Sequence, residues 1–251
     1  MTEAVQLDGR KLMADAKFYE SYSRWMDTEK RYETWEESVT RVMDMHRTKY
    51  TNKMTPELST LINNCEKLYK QKRVLGAQRA LQFGGEQLFK HESRMYNCTV
   101  SHVDRPRFFQ EAMYMLLCGC GVGFSVQTHH IAKLPQLKKR SEKKSKVFVI
   151  PDSIEGWADS FGVLLASYFD TEGDFKEYKG CQVHFDYSKI RPKGAMISGG
   201  FKAPGPDGLR QSLQKCEALL EALFEDGSQF VKMPSIAAYD FVMHMSDDVL
   251  S

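Results

Sequence analysis

Two stretches carry side chains capable of chemistry. The first is "CGCGVGFSV", residues 118–126, where two cysteines one residue apart are threaded by Gly119, Gly121 and Gly123. The second is "YNCTVSH", residues 96–102, in which Cys98 stands among polar neighbours and off any apolar stripe. Four chemistries use such residues: a metal clip, thiol–disulfide exchange, a phosphate-cradling turn, or a bare strand over which a ligand lies. A structural zinc site wants four ligands in spaced pairs. Here the nearest histidines, His129 and His130, lie across an intervening strand-like run. A Cys-x-Cys disulfide closes a small strained ring, and the usual redox spacing is Cys-x-x-Cys. A dinucleotide fingerprint needs G-x-G-x-x-G between a strand and a helix, whereas this spacing is G-x-G-x-G and the order is helix then strand. What survives is a turn whose missing side chains let a packed neighbour or a ligand come close to the backbone. Cys98, at a strand edge, has the setting of a redox thiol if a ligand cleft adjoins it.

The elements that must position these residues are legible from periodicity. The first ninety residues read as helical. Leu58, Leu61, Ile62, Cys65, Leu68 and Tyr69 fall at helical spacing, which predicts a buried stripe with Cys65 as a small core residue. Phe18, Tyr22, Trp25, Tyr32 and Trp35 stand among charges and suit the anchoring of short helices onto a neighbouring domain. A strand-like run around Cys98 follows, then a helix with Asp104 as N-cap and Pro106 in its first turn. Phe108, Phe109, Ala112, Met113, Leu116 and Leu117 form one face of that helix, and "VGFSV" is the next strand. This is the strand–helix–strand unit of an α/β domain with parallel strands.

Residues 133–146, "KLPQLKKRSEKKSK", hold seven basic residues without interleaved aromatics, and read as a solvated loop or hairpin tip. Beyond the strand "VFVI", Asp152 and Glu155 have capping-box spacing ahead of a helix burying Trp157, Phe161 and Tyr168. "CQVHFDYS" alternates as a half-buried strand. Residues 190–205 are rich in glycine and proline, yet their Ile, Met and Phe suit an ordered binding loop. A helix with Leu209, Leu213, Cys216, Leu220 and Leu223 on one stripe comes next. The final "FVMHMSDDVLS" is patterned like a buried element with no closing turn, so the fold is expected to be incomplete at its C-terminal side.

Composition narrows the classes. The 251 residues have a formal net charge of +2, which gives no dominant attraction to nucleic acid or membrane. No apolar run approaches membrane-spanning length, and the start lacks the marks of a secretion signal. Six cysteines are too dilute for a disulfide scaffold, so a reducing cytoplasm is the expected setting.

Taken in order and spacing, "RALQFGG", "NCTV", "CGCGVGFSVQ" and "FDYSKIRPKGAMISGGFKAPGP" resemble the catalytic chain of a ribonucleotide reductase. The likeness is to the monomeric, adenosylcobalamin-dependent (class II) ribonucleoside-triphosphate reductases, and runs from about Phe18 to the end. It implies an α/β fold: a helical N-terminal region, residues 1–94, then the first half of a ten-stranded barrel, residues 95–251, with an insertion at about 127–188. It implies that Cys98 is one of two thiols that become a disulfide as the ribose 2′-carbon is reduced. By the same match Asn97, Cys120 and Gly121 lie beside the substrate, and Arg191 and Lys202 meet the phosphate of a deoxynucleotide effector. The implied cofactor is adenosylcobalamin, held mostly by residues outside this chain, with no resident metal ion. The implied partners are a thioredoxin-like reductant and a complementary C-terminal half. That half would carry the radical cysteine and the second redox cysteine. Alone, residues 1–251 are expected to aggregate or to bind the complementary chain. Two other readings are a nucleotide-binding fragment without chemistry, and a metal or thiol protein using Cys118 and Cys120.

Overall fold

The computed structural model describes residues 8–170, 172–197 and 202–250. They divide into two compact units, residues 8–96 and residues 97–196 with 202–250. No helix among the described residues is long and apolar enough to cross a membrane.

The first unit holds five helices and one short hairpin. The helices are α1 (Gly9–Ser21), α2 (Trp35–Lys49), α3 (Pro56–Lys70), α4 (Gln78–Phe83) and α5 (Glu86–Lys90), and the hairpin strands are β1 (Trp25–Met26) and β2 (Arg31–Tyr32). Thr34 and Glu37 close a capping box on α2, and Thr55 with Pro56 starts α3. Val39, Val42, Met43, Ile62, Tyr69, Ala80 and Leu81 form the core. The aromatics pack within this unit: Trp35 meets Phe18 and Tyr69 edge-on, each at 5.6 Å between centroids. Cys65 is exposed, contrary to the expected buried stripe. The reason is that α3 turns Ile62 and Tyr69 inward, while Leu61, 58% exposed, and Cys65 lie to one side of that line.

Polar burial organises this unit as well. Glu33 and Arg41 pair at 2.7 Å, and Arg41 also donates to the carbonyls of Leu81 and Gly84, tying α2 to α4. Ser38 donates to the same Glu33 carboxylate at 2.8 Å.

The second unit is built from two strand–helix–strand crossovers. The first is β3 (Cys98–His102), α6 (Arg107–Leu117) and β4 (Gly121–Ser125), with β3 and β4 parallel. After the short α7 (Thr128–Ile131) and β5 (Leu137–Lys138) comes the second: β6 (Ser141–Val149), α8 (Ile154–Tyr168) and β7 (Cys181–Asp186), again with parallel strands. Helix α9 (Asp207–Ala222), strand β8 (Phe230–Val231), which pairs with β5, and helix α10 (Ser235–Leu250) complete it. Helix α8 is buried nearly all round, and Phe161 and Phe109 both meet Phe241 of α10. Leu209, Leu213, Cys216 and Leu220 of α9 lie in the same core.

Three local expectations are corrected. The basic run is not wholly loop: from Ser141 onward it is strand β6, because pairing with β7 satisfies the backbone while the lysines point to solvent. Asp104 does not cap α6; Pro106 occupies that position and Asp104 pairs with Arg105 at 2.8 Å. Asp152 does not cap α8 either. Ser153 accepts from the Gly156 amide at 3.0 Å, and Asp152 is taken by Arg191.

Glu66 of α3 gives the first unit an acid dependence. Burial pushes its pKa up, but hydrogen bonds from Lys70, Arg47 and Thr40 outweigh that and bring it from 4.5 to about 2. A carboxylate lowered by folding stabilises fully above its unfolded value and loses that contribution as pH falls through the folded one. We therefore expect thermal melts of wild type and Glu66→Gln to converge as the pH falls from about 5 to about 2. A gap that stays constant would contradict this.

Candidate functional site

Register decides what the β3–β4 pair displays. Cys98 lies opposite Gly121, Val100 opposite Gly123 and His102 opposite Ser125. Residues two apart share a face, so Cys98, Val100 and His102 line one side with Gly121 and Gly123. The other side, with Val122 and Phe124, packs toward the core. The glycine-bearing side is open: Cys98 is exposed and Val100 is 77% exposed.

The three glycines of the turn do different work. Gly119 has φ +83 and follows the last residues of α6. Its amide donates to the Leu116 carbonyl at 2.8 Å, and the Cys120 amide reaches back to Met115 at 3.0 Å. This is a Schellman ending, which needs a residue at ease in the left-handed region. Gly121 and Gly123 have no such need. A Cβ on Gly121 would lie 4.0 Å from the Cys98 Sγ and 3.7 Å from the Asn97 carbonyl oxygen, ordinary contact distances. Close packing therefore does not require glycine there. A bare backbone at that point instead leaves the thiol uncovered.

Of the residues singled out from sequence, the structure brings Asn97, Cys98 and Gly121 together. The Asn97 carbonyl accepts from the Gly121 amide at 2.9 Å, and its side-chain amide lies 3.8 Å from the Cys98 Sγ. Cys120 is not on the open side. It is 2% exposed, and Cys118 is fully buried, so the Schellman turn carries both thiols inward. Arg191 is held by Asp152 at 2.7 Å. Lys202 is exposed on a loop that closes on itself, through the Gly194 amide to Ala203 and the Ala203 amide to Ala195. Residues 198–201 of that expected binding loop lie outside the described residues. Among the described residues, no group of three His, Cys, Asp or Glu is arranged to hold a metal ion.

Sequence reasoning missed a cavity of about 440 Å³ beside the start of α6. Arg105, Arg107, Lys133 and Lys176 line it together with Glu172 and Asp174, Arg107 being paired with Asp174 at 3.0 Å, and Phe169 and Phe175 give it apolar wall. Its floor includes Gly162 and Ala166, four residues apart on α8. The small residue at Gly162 lets Phe175 and Gln110 approach α8 closely, and nothing in the local sequence announced the cavity they help to wall.

With this geometry in place, likeness to known proteins can be stated. No protein-family model matches the chain. A crystal structure of a B-12-dependent (class II) ribonucleotide reductase superposes with a TM-score of 0.75 at 22% identity, covering 94% of this chain and 40% of that one. The fold is thus the ribonucleotide-reductase α/β fold in partial extent. In sequence, the chain is similar to adenosylcobalamin-dependent ribonucleoside-triphosphate reductases. That of Lacticaseibacillus paracasei is 25% identical over 264 residues, covering 80% of this chain and 35% of the relative. That of Lactobacillus delbrueckii subsp. bulgaricus is 26% identical over 245 residues, covering 74% and 33%. The chain spans about a third of the length of these curated relatives.

The two kinds of glycine should separate stability from thiol access. Gly119→Ala is expected to cost about 1 kcal/mol in urea melts. Gly121→Ala should leave the melt nearly unchanged while slowing alkylation of Cys98. Equal effects of both substitutions on both readouts would refute the distinction.

Proposed function

We propose that this chain is the N-terminal portion of a ribonucleotide reductase that converts ribonucleoside triphosphates to 2′-deoxyribonucleotides. The observation that carries the reading is the uncovered Cys98 thiol facing Gly121 on an open parallel strand pair. In the reduction, Cys98 and a second thiol from the complementary half are oxidised to a disulfide. Their two electrons and two protons replace the ribose 2′-hydroxyl by hydrogen, and that oxygen leaves as water. A thioredoxin-like dithiol then reduces the disulfide. Asn97 and the Gly121 backbone position the ribose. Cys120, being buried, supports the turn and does not touch substrate.

Adenosylcobalamin, named for the relatives, supplies the radical that starts such chemistry. The open face and the 440 Å³ charged cavity offer no cradle for a corrin, so its site belongs to the complementary half. We assign residues 1–94 to a helical region and 95–251 to the first half-barrel, with 127–188 as its insertion. We propose that the cavity beside α6 holds a nucleotide. Arg191 and Lys202, which do not line it, are the effector-phosphate contacts that the resemblance implies, Arg191 exchanging Asp152 for ligand. All six thiols are reduced, which suits a cytoplasmic enzyme.

Two of the six cysteines, Cys65 and Cys98, are exposed and four are buried. Alkylation of the folded chain should modify these two first, and ribonucleoside triphosphate should protect Cys98 alone. In the enzyme assembled with its complementary half, Cys98→Ser should lower deoxynucleotide formation by about a thousandfold or more. Full turnover by that variant would overturn the assignment.

A further inference from the structure

Three histidine rings meet at the carboxyl end of the β3–β4 pair. His102 ends β3, and its ring centroid lies 4.2 Å from that of His130. His129, the next residue on α7, stands 4.0 Å from His130 on another side. His130 Nδ1 shares a 3.0 Å hydrogen bond with the Ser125 hydroxyl, at the end of β4. The surroundings carry both signs. Lys133 lies 3.8 Å from Asp104, and Arg105 is engaged by Asp104 at 2.8 Å and by Glu111. Lys133 and Arg105 also line the cavity beside α6.

Like charges this close cannot all ionise without a counter-charge. The charges acting on His130 are His129, His102 and Lys133, which oppose its protonation, and Asp104, which favours it. Partial burial adds to the opposition and leads it, so the imidazole is held below its ordinary pKa. Helix α10 packs against α7, and its Tyr239 ring meets Phe124 of β4. His130 therefore resists protonation until an anion supplies the counter-charge.

We propose that His102, His129 and His130 form a proton-gated anion site that grips the phosphates of a ligand at the carboxyl end of β3 and β4. The site stands about 13 Å along the open face from Cys98, the rise of four strand residues. It rests on reading the adjoining cavity as a nucleotide site. Binding draws protons onto the imidazoles, so affinity rises as pH falls and fades as pH rises past the histidines' ligand-bound pKa values. Because the site is separate from Cys98, a fall in pH would tighten ligand binding there without touching the thiol.

The test is calorimetric binding of inorganic triphosphate, and separately of a deoxynucleoside triphosphate, to the chain assembled with its complementary half and to the same assembly carrying His130→Gln or His102→Asn. Histidine side-chain resonances are followed by NMR in parallel. Between about pH 8 and about pH 6, wild type should tighten on triphosphate about tenfold more than either variant. The ligand's own protonation affects all three proteins alike and cancels. The His130 resonance should titrate at higher pH once triphosphate is bound. Nucleotide binding of equal strength and equal pH dependence in wild type and variants would overturn the gate while leaving the cavity assignment intact. Proton-gated triphosphate binding with no nucleotide binding would do the reverse. No binding of either ligand would overturn both.

Discussion

One hydrogen bond, from the Gly121 amide to the Asn97 carbonyl, sets the register on which the site depends. It places Cys98 beside a residue without a side chain. A slip of one position would exchange the faces of β4. The core would then receive bare glycines in place of Val122 and Phe124, and those two side chains would cover the thiol. The apolar alternation that fills the core is thus the same alternation that keeps the opposite face clear. Packing energy enforces the geometry of chemistry that it does not itself touch.

Each unit fastens its connections around one buried arginine. In the first, Arg41 joins Glu33 to the end of α4. In the second, Arg140 is almost wholly buried, pairs with Glu217 and Glu221 of α9, and lies over the ring of Tyr168 at the end of α8. Tyr168 donates to Glu221 at 2.6 Å, so one carboxylate gathers a strand connection and two helices. Buried charge of this kind adds little net stability against an apolar substitute, but a half-removed pair is costly. The arrangement is therefore selective: only the alignment that completes both carboxylates is tolerated, which fixes how α8 and α9 cross.

Much of this was legible in the sequence because it depends on short-range pattern. The parallel crossover around α6, the apolar stripe of α9 and the exposed setting of Cys98 follow from periodicity and from the polarity of neighbours. What was not legible depends on competition between partners distant in the chain. Asp152 has the spacing of a cap, but Arg191 lies thirty-nine residues away in sequence and takes it. Cys65 sits at helical spacing, yet the width of the stripe is set by what α2 presents. The lysines of β6 conceal a strand because a backbone partner, β7, matters more there than side-chain alternation. The histidine cluster joins one residue of β3 to two of α7, and no local motif announces it.

The inward turn of Cys118 and Cys120 has a bearing on oxidative wear. An exposed thiol is open to oxidation by pairing with any second sulfur in reach. In this unit the cysteines nearest in sequence to Cys98 are sealed in the core beside the glycine that ends α6. Among the described residues, Cys98 is the one sulfur on the open face of the strand pair. An adduct formed on it has no buried neighbour to collapse against and stays open to attack by an incoming thiolate. The damage is repairable by exchange, and Gly119 serves as a safeguard against dead-end cross-linking as much as a helix terminator.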